Sequence, residues 1–302
     1  MFDLHFHSLA SDGKADFATV RTAVRRHSEL ALLALADHDA IADSARLAAL
    51  DPRAWVGAEL TGFVGLTRVD ILGLNLRPQD PELLAHLAAR TAARRERFIL
   101  FGEMLRAGGW TFEPDEVALA APQLGLPHVA QQLRRQEANH QRLLGLGLAI
   151  DETSARAADG HDAIYPVILE PLDPLIAEQM TIKPVSSVEL IGLIHRAGGL
   201  AVAAHPWVEP FDFGTAEVAS AEAVIECLAE AGLDGLERWH PDQTSGQAQE
   251  VIAAMCRRYD LVESAGSDDH RADLSALGRF GPRGPEALQV LARLRRAAAR
   301  WR

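Results

Sequence analysis

Leu30-Ala31-Leu32-Leu33-Ala34-Leu35-Ala36 is an unbroken apolar run of strand length, and Asp37-His38-Asp39 ends it abruptly. A strand that is apolar on both faces belongs inside a parallel sheet, with helices covering it on either side. Short strands of similar form recur on both sides of this one. Met1–Phe6 alternates and passes at once into polar residues, Ala54–Ala58 ends at Glu59, and Val69–Leu74 follows. After Ser186 the pattern returns. Leu200–Ala204 runs into His205-Pro206, Leu233–Arg238 forms a sixth strand, and Leu261–Ala265 precedes Asp268-Asp269-His270. Helical spacing separates the strands over Asp16–Glu29, Ser187–Arg196, Ala219–Ala231 and Gly246–Tyr259, and Pro285–Arg300 forms a last helix. Asp16 is placed to start the first of these, and Gly198-Gly199 to stop the second. Strands alternating with helices predict an α/β fold, a parallel barrel of roughly seven strands.

The middle of the chain reads differently. From about Pro81 to His140 it is rich in Ala, Leu and Arg and predicts several helices with no strand, and Asp151–Pro184 carries scattered prolines and no clear period. The expected organisation is a barrel from residues 1–97 and 185–302, with a mainly helical insertion domain at 98–184. There is no internal repeat and no low-complexity tract.

Bulk properties narrow the function. At 302 residues the chain is long enough for one sizeable domain with an insertion, or for two domains. Its 48% hydrophobic and 24% charged residues are those of an ordinary globular protein. A net charge of -12 argues against a long nucleic-acid duplex as partner, although bound cations would reverse the potential locally for a small anion. Cys227 and Cys256 form no Cys-x-x-Cys pair, which points to a reducing compartment. No apolar run approaches the ~18–20 residues that span a bilayer. A cleaved leader would also remove His5 and His7. The expected location is the cytoplasm, with no membrane partner.

The polar residues at the strand ends carry the chemistry. His5 and His7 follow strand one, His38 strand two, Glu59 strand three, His205 strand five, and Asp268 with His270 strand seven. Active sites of α/β barrels are built from these same ends, so the residues converge on one mouth. Imidazoles and carboxylates without thiolates suit Zn, Mn or Fe divalent ions in a catalytic rather than a structural site. On a strand, His-x-His directs both rings to one face, and Asp268 and His270 share a face by the same parity. Glu59 could bridge two cations, and Asp12 in the turn Ser11-Asp12-Gly13 could reach in from the first loop. Alone, His-x-His is weak evidence, Asp-His-Asp reads as a loop cap, and Ala-His-Pro as a strand end. Their joint placement after separate strands is what carries the metal-site reading. His27, His86 and His140 read as surface residues, and the basic run Arg90–Arg97 as a solvated helix face. No Gly-rich phosphate loop and no Gly-x-Ser-x-Gly is present.

Asp3-Leu4-His5-Phe6-His7-Ser8, Ser11-Asp12-Gly13, Ala36-Asp37-His38-Asp39, Gly57-Ala58-Glu59, Ile71-Leu72-Gly73-Leu74, Ala204-His205-Pro206, Gly266-Ser267-Asp268-Asp269-His270 and Leu277-Gly278-Arg279 run in this order along nearly the whole chain. Together they resemble the PHP family, named for polymerase and histidinol phosphatase domains, and in particular the branch that dephosphorylates nucleoside 3',5'-bisphosphates. The resemblance implies a distorted (β/α)7 barrel holding two or three divalent metal ions (Mn, Zn or Fe). One ion would be bound by His5, His7, Glu59 and Asp268, a second by Glu59 and His205, and a third by Asp12, His38 and His270. It implies a metal-dependent phosphoesterase in which a metal-bound hydroxide attacks the phosphorus of a small phosphorylated metabolite, nucleotide or short oligonucleotide.

The chain also departs from the family's pattern. Asp70 stands where the family usually has a ligating histidine, and a carboxylate there can still bind a hard ion. Leu126 precedes Pro127-His128 where an arginine is usual, and Trp207-Val208-Glu209 replaces a Gly-Arg-Tyr. Arginines are the natural partners of phosphate, so either the substrate differs or Arg271, Arg279 or Lys183 supplies the charge. His128 and His240 are candidates for substrate contact or proton donation, with Glu59, Asp268 and His240 as the expected catalytic set. Two rival readings are a metal-dependent, amidohydrolase-like enzyme acting on a C–N or C–O bond, and a degenerate, non-catalytic ligand-binding domain.

Overall fold

In the computed structural model, which describes residues 1–65, 67–114, 123–151, 163–206 and 221–301, seven short strands pair in the order in which the chain supplies them. They are β1 (Phe2–Asp3), β2 (Leu32–Leu35), β3 (Ala54–Val64), β4 (Thr67–Leu74), β5 (Leu200–Ala203), β6 (Gly235–Trp239) and β7 (Val262–Ala265). The chain closes the sheet on itself. The Leu4 N–H donates to the Ala265 carbonyl at 2.8 Å, the Asp268 N–H to the His5 carbonyl at 2.7 Å, and the His7 N–H to the Asp269 carbonyl at 3.1 Å. This backbone seam joins the first strand to the last and nearly closes the sheet into a barrel.

One expectation needs correcting. The barrel is not wholly parallel, because β4 runs antiparallel to both β3 and β5. The cause lies in the connection. β3 does not stop at Ala58; it continues to Val64 and turns back within a few residues into Thr67, so no crossover helix intervenes. Gly65 holds a φ of +61° in that turn, a value that suits glycine. Two consequences follow for the site. Glu59 lies inside β3, opposite Leu72, and the amino-terminal half of β4 points to the mouth, where the other strands end.

The helices covering the barrel are α1 (Phe17–Arg26), α2 (Ala42–Leu50), the first turns of α3 (Pro81–Ala107), α7 (Ser187–Arg196), α8 (Ala221–Glu230), α9 (Gly246–Arg258) and α10 (Gly284–Ala298). Their starts follow from local chemistry. Asp16 Oδ1 accepts the Thr19 N–H at 2.8 Å, and Ser186 with Glu189 forms a capping box at α7. Such a cap contributes about 1 kcal/mol. Alternate residues of the strands feed two different cores. Leu60, Val69, Ile71 and Ala203 pack outward against Leu190, Ile191 and Ile194 of α7 and Leu228 of α8. Leu72, Leu74, Val202 and Ala204 turn the other way and meet Phe2, Leu4 and Ala34.

The chain divides into two compact units, one of Met1–Leu87 with Pro184–Arg302, the other of Ala88–Lys183. The second unit contains most of α3 together with α4 (Leu126–Arg135), α5 (His140–Gly145) and α6 (Asp173–Gln179). It has its own core around Phe98, Phe101, Phe112, Leu133, Leu143 and Ile176. Within it, Arg97 grips Asp173 through two nitrogens, at 2.6 and 3.1 Å. The unassigned stretch before Pro184 folds in part as irregular helical turns over Tyr165–Leu172 followed by α6. Among the described residues, no helix is long and apolar enough to cross a membrane.

Candidate metal centre

Three interlocking groups of side chains gather at the barrel mouth: His7, Asp12, His38 and His270; His5, Glu59 and His205; and His5, His7 and Asp268. Within each group one ligand atom per residue lies within 4.8 Å of all the others. Eight residues singled out in the sequence are therefore brought together, although the first and last of them, His5 and His270, stand at opposite ends of the chain.

The floor is the tightest part. His5 Nε2 faces His7 Nε2 at 3.1 Å, Glu59 Oε2 at 3.2 Å and Asp268 Oδ1 at 3.4 Å. His7 Nε2 meets the same Asp268 oxygen at 3.0 Å. Two ring nitrogens this close cannot both carry protons toward each other, and a cation between them satisfies both lone pairs. The donor set fits a divalent ion for a second reason. Asp12 Oδ1 and His38 Nδ1 are buried without hydrogen-bond geometry to any protein atom. They lie instead within ionic range of His270 (3.2 Å) and Glu59 (3.1 Å).

Supporting contacts fix which nitrogen of each ring is available. His5 Nδ1 lies 3.2 Å from Glu237 Oε1, so its proton sits on Nδ1 and its Nε2 lone pair faces the cluster. His270 Nδ1 donates to the Asp268 carbonyl at 2.9 Å, which likewise leaves Nε2 toward Asp12. Glu237 also accepts the His205 N–H at 2.9 Å. Asp37 accepts from the Ser8 N–H, the Ser8 hydroxyl and the Ser11 hydroxyl, each at 2.7 Å, and so pins the loop that presents Asp12. Asp3 accepts the Ser267 and Gly278 N–H groups, at 3.1 and 2.8 Å, and ties β1 to the loop that carries Asp268. A Cβ on Gly266 would strike both His5 and Glu237, so only glycine allows that approach. His205 and Asp268 have positive φ, +30° and +46°, a conformation non-glycine residues adopt only where the surroundings enforce it.

The electrostatics follow from burial opposed by neighbours. Burial pushes Glu59 upward, yet the charges of His38 and His5 outweigh it and hold Glu59 well below the usual carboxylate range. Asp268 and Asp12 are held low in the same manner by the surrounding histidines. For His5, Glu59, Glu237 and Asp268 overcome the cost of burial and raise it well above the ordinary histidine value. His7 shifts the other way, lowered by burial and by the neighbouring His270. His205 rises to about 9, and His270 to about 10, because carboxylates outweigh burial at both. Asp3 is pushed up to about 6 by burial, against which its hydrogen bonds from the loop backbone only partly act.

Other expected residues are placed as follows. Asp70 stands outside the three groups: its Oδ1 accepts the Thr61 hydroxyl at 2.6 Å, and its Oδ2 accepts from the Arg68 guanidinium at 3.0 Å. His240, just past β6, places Nε2 3.2 Å from Asp268 Oδ2, while its Nδ1 accepts the Asp242 N–H. Arg271 is exposed and held near Asp269 and Ser275, and Arg279 is also exposed. His128 and Lys183 belong to the second unit, where His128 Nδ1 accepts the Gly125 N–H. Trp207 lies outside the described residues. Glu237 was missed in the sequence. It stands mid-strand beside Arg238, a charged pair that reads in sequence as a solvated face.

No protein-family model matches the chain. Individual relatives do. It is 28% identical over 287 residues to a 5'-3' exoribonuclease of Haemophilus influenzae, covering 89% of each chain. It is 28% identical over 285 residues to a 3',5'-nucleoside bisphosphate phosphatase of Chromobacterium violaceum, covering 89% of this chain and 86% of the relative. A phosphoribosyl 1,2-cyclic phosphate 1,2-diphosphodiesterase of Eggerthella lenta is 27% identical over 289 residues, 92% of this chain and 95% of its own. Among solved structures, an amidohydrolase from Chromobacterium violaceum with bound sulfate superposes with a TM-score of 0.69 at 26% identity, over 97% of this chain and 96% of the other. Motif order, barrel and relatives agree, and together they support a PHP-type phosphoesterase.

Proposed function

We propose that the chain hydrolyses a phosphoester of a small phosphorylated metabolite, a nucleotide or the end of a short oligonucleotide, with two or three divalent cations (Mn, Zn or Fe) at the barrel mouth. The observation that carries this reading is the sharing of ligands: His5 and His7 each belong to two of the three groups, and Glu59 and Asp268 lie between them. His5, His7, Glu59 and Asp268 would hold one ion, Glu59 and His205 a second, and Asp12, His38 and His270 a third. Bound there, the ions supply Lewis-acid charge for the phosphoryl oxygens and lower the pKa of water.

The chain's own residues do the rest. Asp268 accepts the His240 Nε2–H, because the Asp242 N–H occupies the opposite ring nitrogen and fixes the tautomer. His240 is buried beside the cluster, a position from which that proton can pass to a leaving-group oxygen. Arg271, Arg279, Lys183 and His128 remain proposed contacts for the rest of the substrate. The acidic surface disfavours a long duplex. Relatives that are exoribonucleases keep single-stranded ends within the substrate class.

Elemental analysis of the purified chain, paired with phosphate release from nucleoside bisphosphates and simple phosphoesters in added Mn, tests the reading. Two or more ions per chain with phosphate released is the expected outcome. Turnover of amides or lactones in place of phosphoesters would favour C–N or C–O chemistry, a reading supported by the amidohydrolase with the same fold. Less than one ion per chain after reconstitution would favour a ligand-binding domain without catalysis.

A further inference from the structure

The β3–β4 hairpin rises above the ligand layer as one wall of the mouth. Its register pairs Glu59 with Leu72, Thr61 with Asp70, and Phe63 with Arg68. The other residues of β3 face outward. Leu60 and Val64 pack in the core under α7, and a Cβ on Gly62 would meet Leu190 and Ser187 of that helix. Side chains alternate along a strand, so Glu59, Thr61 and Phe63 share the inner face. Leu72 fixes the direction of that face, since it packs with Leu4 and Ala34 of the barrel strands. Two residues along a strand advance about 6.8 Å, which sets Thr61 one step above Glu59 and Phe63 two steps, or about 14 Å, above it.

Four residues stand on this face above Glu59 and Leu72, and three of them are polar and engaged with one another. Asp70 accepts from the Thr61 hydroxyl at 2.6 Å and from the Arg68 guanidinium at 3.0 Å. Phe63 is the apolar one. It is partly exposed, and it joins none of the cores formed by the described residues. Its backbone is held on both edges. β4 pairs with it on one side, and on the other the Phe63 N–H donates to the Val185 carbonyl at 3.0 Å. A ring carried by a strand fixed from both sides loses little freedom when a second ring covers it.

Building on the phosphoesterase reading, we infer that Phe63 stacks on a planar aromatic or heteroaromatic ring of the substrate, one sugar-sized spacer away from the phosphorus under attack. A phosphate over the ligands, such a spacer and a stacked ring together fill a height of this order. The ring adds affinity for the body of the substrate and leaves the bond under attack to the cluster below. Phe63 is thus a specificity residue, favouring phosphoesters that carry a base-like ring over those of bare sugars.

The test uses the metal-loaded full-length chain with AMP and ribose 5-phosphate, which share phosphate and sugar and differ in the ring. Phe63→Ala raises KM for AMP about 10-fold, the range for losing one stacking partner. It changes kcat, and KM for ribose 5-phosphate, by less than about threefold, the signature of lost uniform binding. Phe63→Leu keeps apolar bulk without the ring, shows the same contrast at reduced size, and replaces Phe63→Ala should that variant fail to fold. An unchanged KM for AMP, or an equal rise for both esters, overturns the assignment. If the unmutated chain releases no phosphate from any ester, the phosphoesterase reading itself fails. Calorimetric titration of both proteins with AMP then decides the role of Phe63 alone: weaker binding by the variant supports it, and equal or absent binding overturns it.

Discussion

The inner and outer parts of the ligand cluster are built on different principles. His5 and Glu59 are sealed, with side chains 0% and 1% exposed; Glu59 sits within β3, and His5 just past β1, in the seam with the end of β7. His270, Asp12 and His38 retain 29%, 20% and 16% exposure and come from loops. His5 is backed by Glu237, a carboxylate on β6, whereas the outer set relies on Asp37 and two serine hydroxyls to shape a loop. Strands fix the inner ligands to within the rigidity of the barrel, and loops complete the site around them. The inner part is preorganised, and the outer part is the one that can exchange or relax.

The largest effect belongs to the ligands of the tight floor of the cluster. Asp268→Ala or His5→Ala lowers turnover by about 10³-fold or more with unchanged far-UV circular dichroism, since each removes a ligand and leaves buried charge uncompensated. Activity within tenfold of the unmutated chain would remove the distinction between inner and outer ligands. Next comes pH. His205 and His270 have folded values near 9 and 10 against about 6.5 in an unfolded chain. Their ion pairs stabilise the metal-free fold fully below about pH 6.5, and this contribution, a few kcal/mol for each, is lost as pH rises through about 9 and 10. Chelator-treated protein should therefore melt at a falling temperature across that window, and added Mn should restore it. A flat melting profile would contradict the pairing.

Glu237→Gln keeps the shape but removes the charge behind His5 and His205, and it should weaken cation binding about 10- to 100-fold. Measured by competition with a chelator, an unchanged affinity would show that the inner ring needs no backing. Smallest is the outer set. Asp12→Asn should remove one ion per chain and leave the others, because the groups His5, Glu59, His205 and His5, His7, Asp268 do not include it. Loss of every ion in Asp12→Asn would show that the two parts are one cooperative site.

Much of this was legible in the sequence because barrels place polar ligands where apolar strands stop. Leu30–Ala36 announces β2 by its apolar run, and the break at Asp37 marks the mouth. The direction of β4 was not legible. A strand carries no sign of its polarity, and only the close spacing of Val64 and Thr67 around Gly65 records the hairpin. That same error set Glu59 at a strand end, when it lies within β3. Glu237 escaped notice because a carboxylate in a strand usually faces water, and burial beside His5 is a tertiary fact. Asp70 was expected among the ligands by position, and its engagement by Thr61 depends on the β3–β4 register, while Arg68 reaches it from two residues back on the same strand. The helical turns at Tyr165–Leu172 have mixed geometry and interrupting prolines, so no single period could reveal them.

The seam that joins β1 to β7 also imposes an order of events on biosynthesis. Asp3 and Ser267 touch across 264 positions of sequence. At a translation rate of about 5–20 residues per second, the first histidines therefore wait roughly ten to fifty seconds for Asp268 and His270 to appear. Until then the nascent chain carries an open sheet and an incomplete set of ligands. The barrel closes and the site gains its full charge in one late step, so a ribosome-bound chain arrested before Gly266 should bind cations far more weakly than one released after His270.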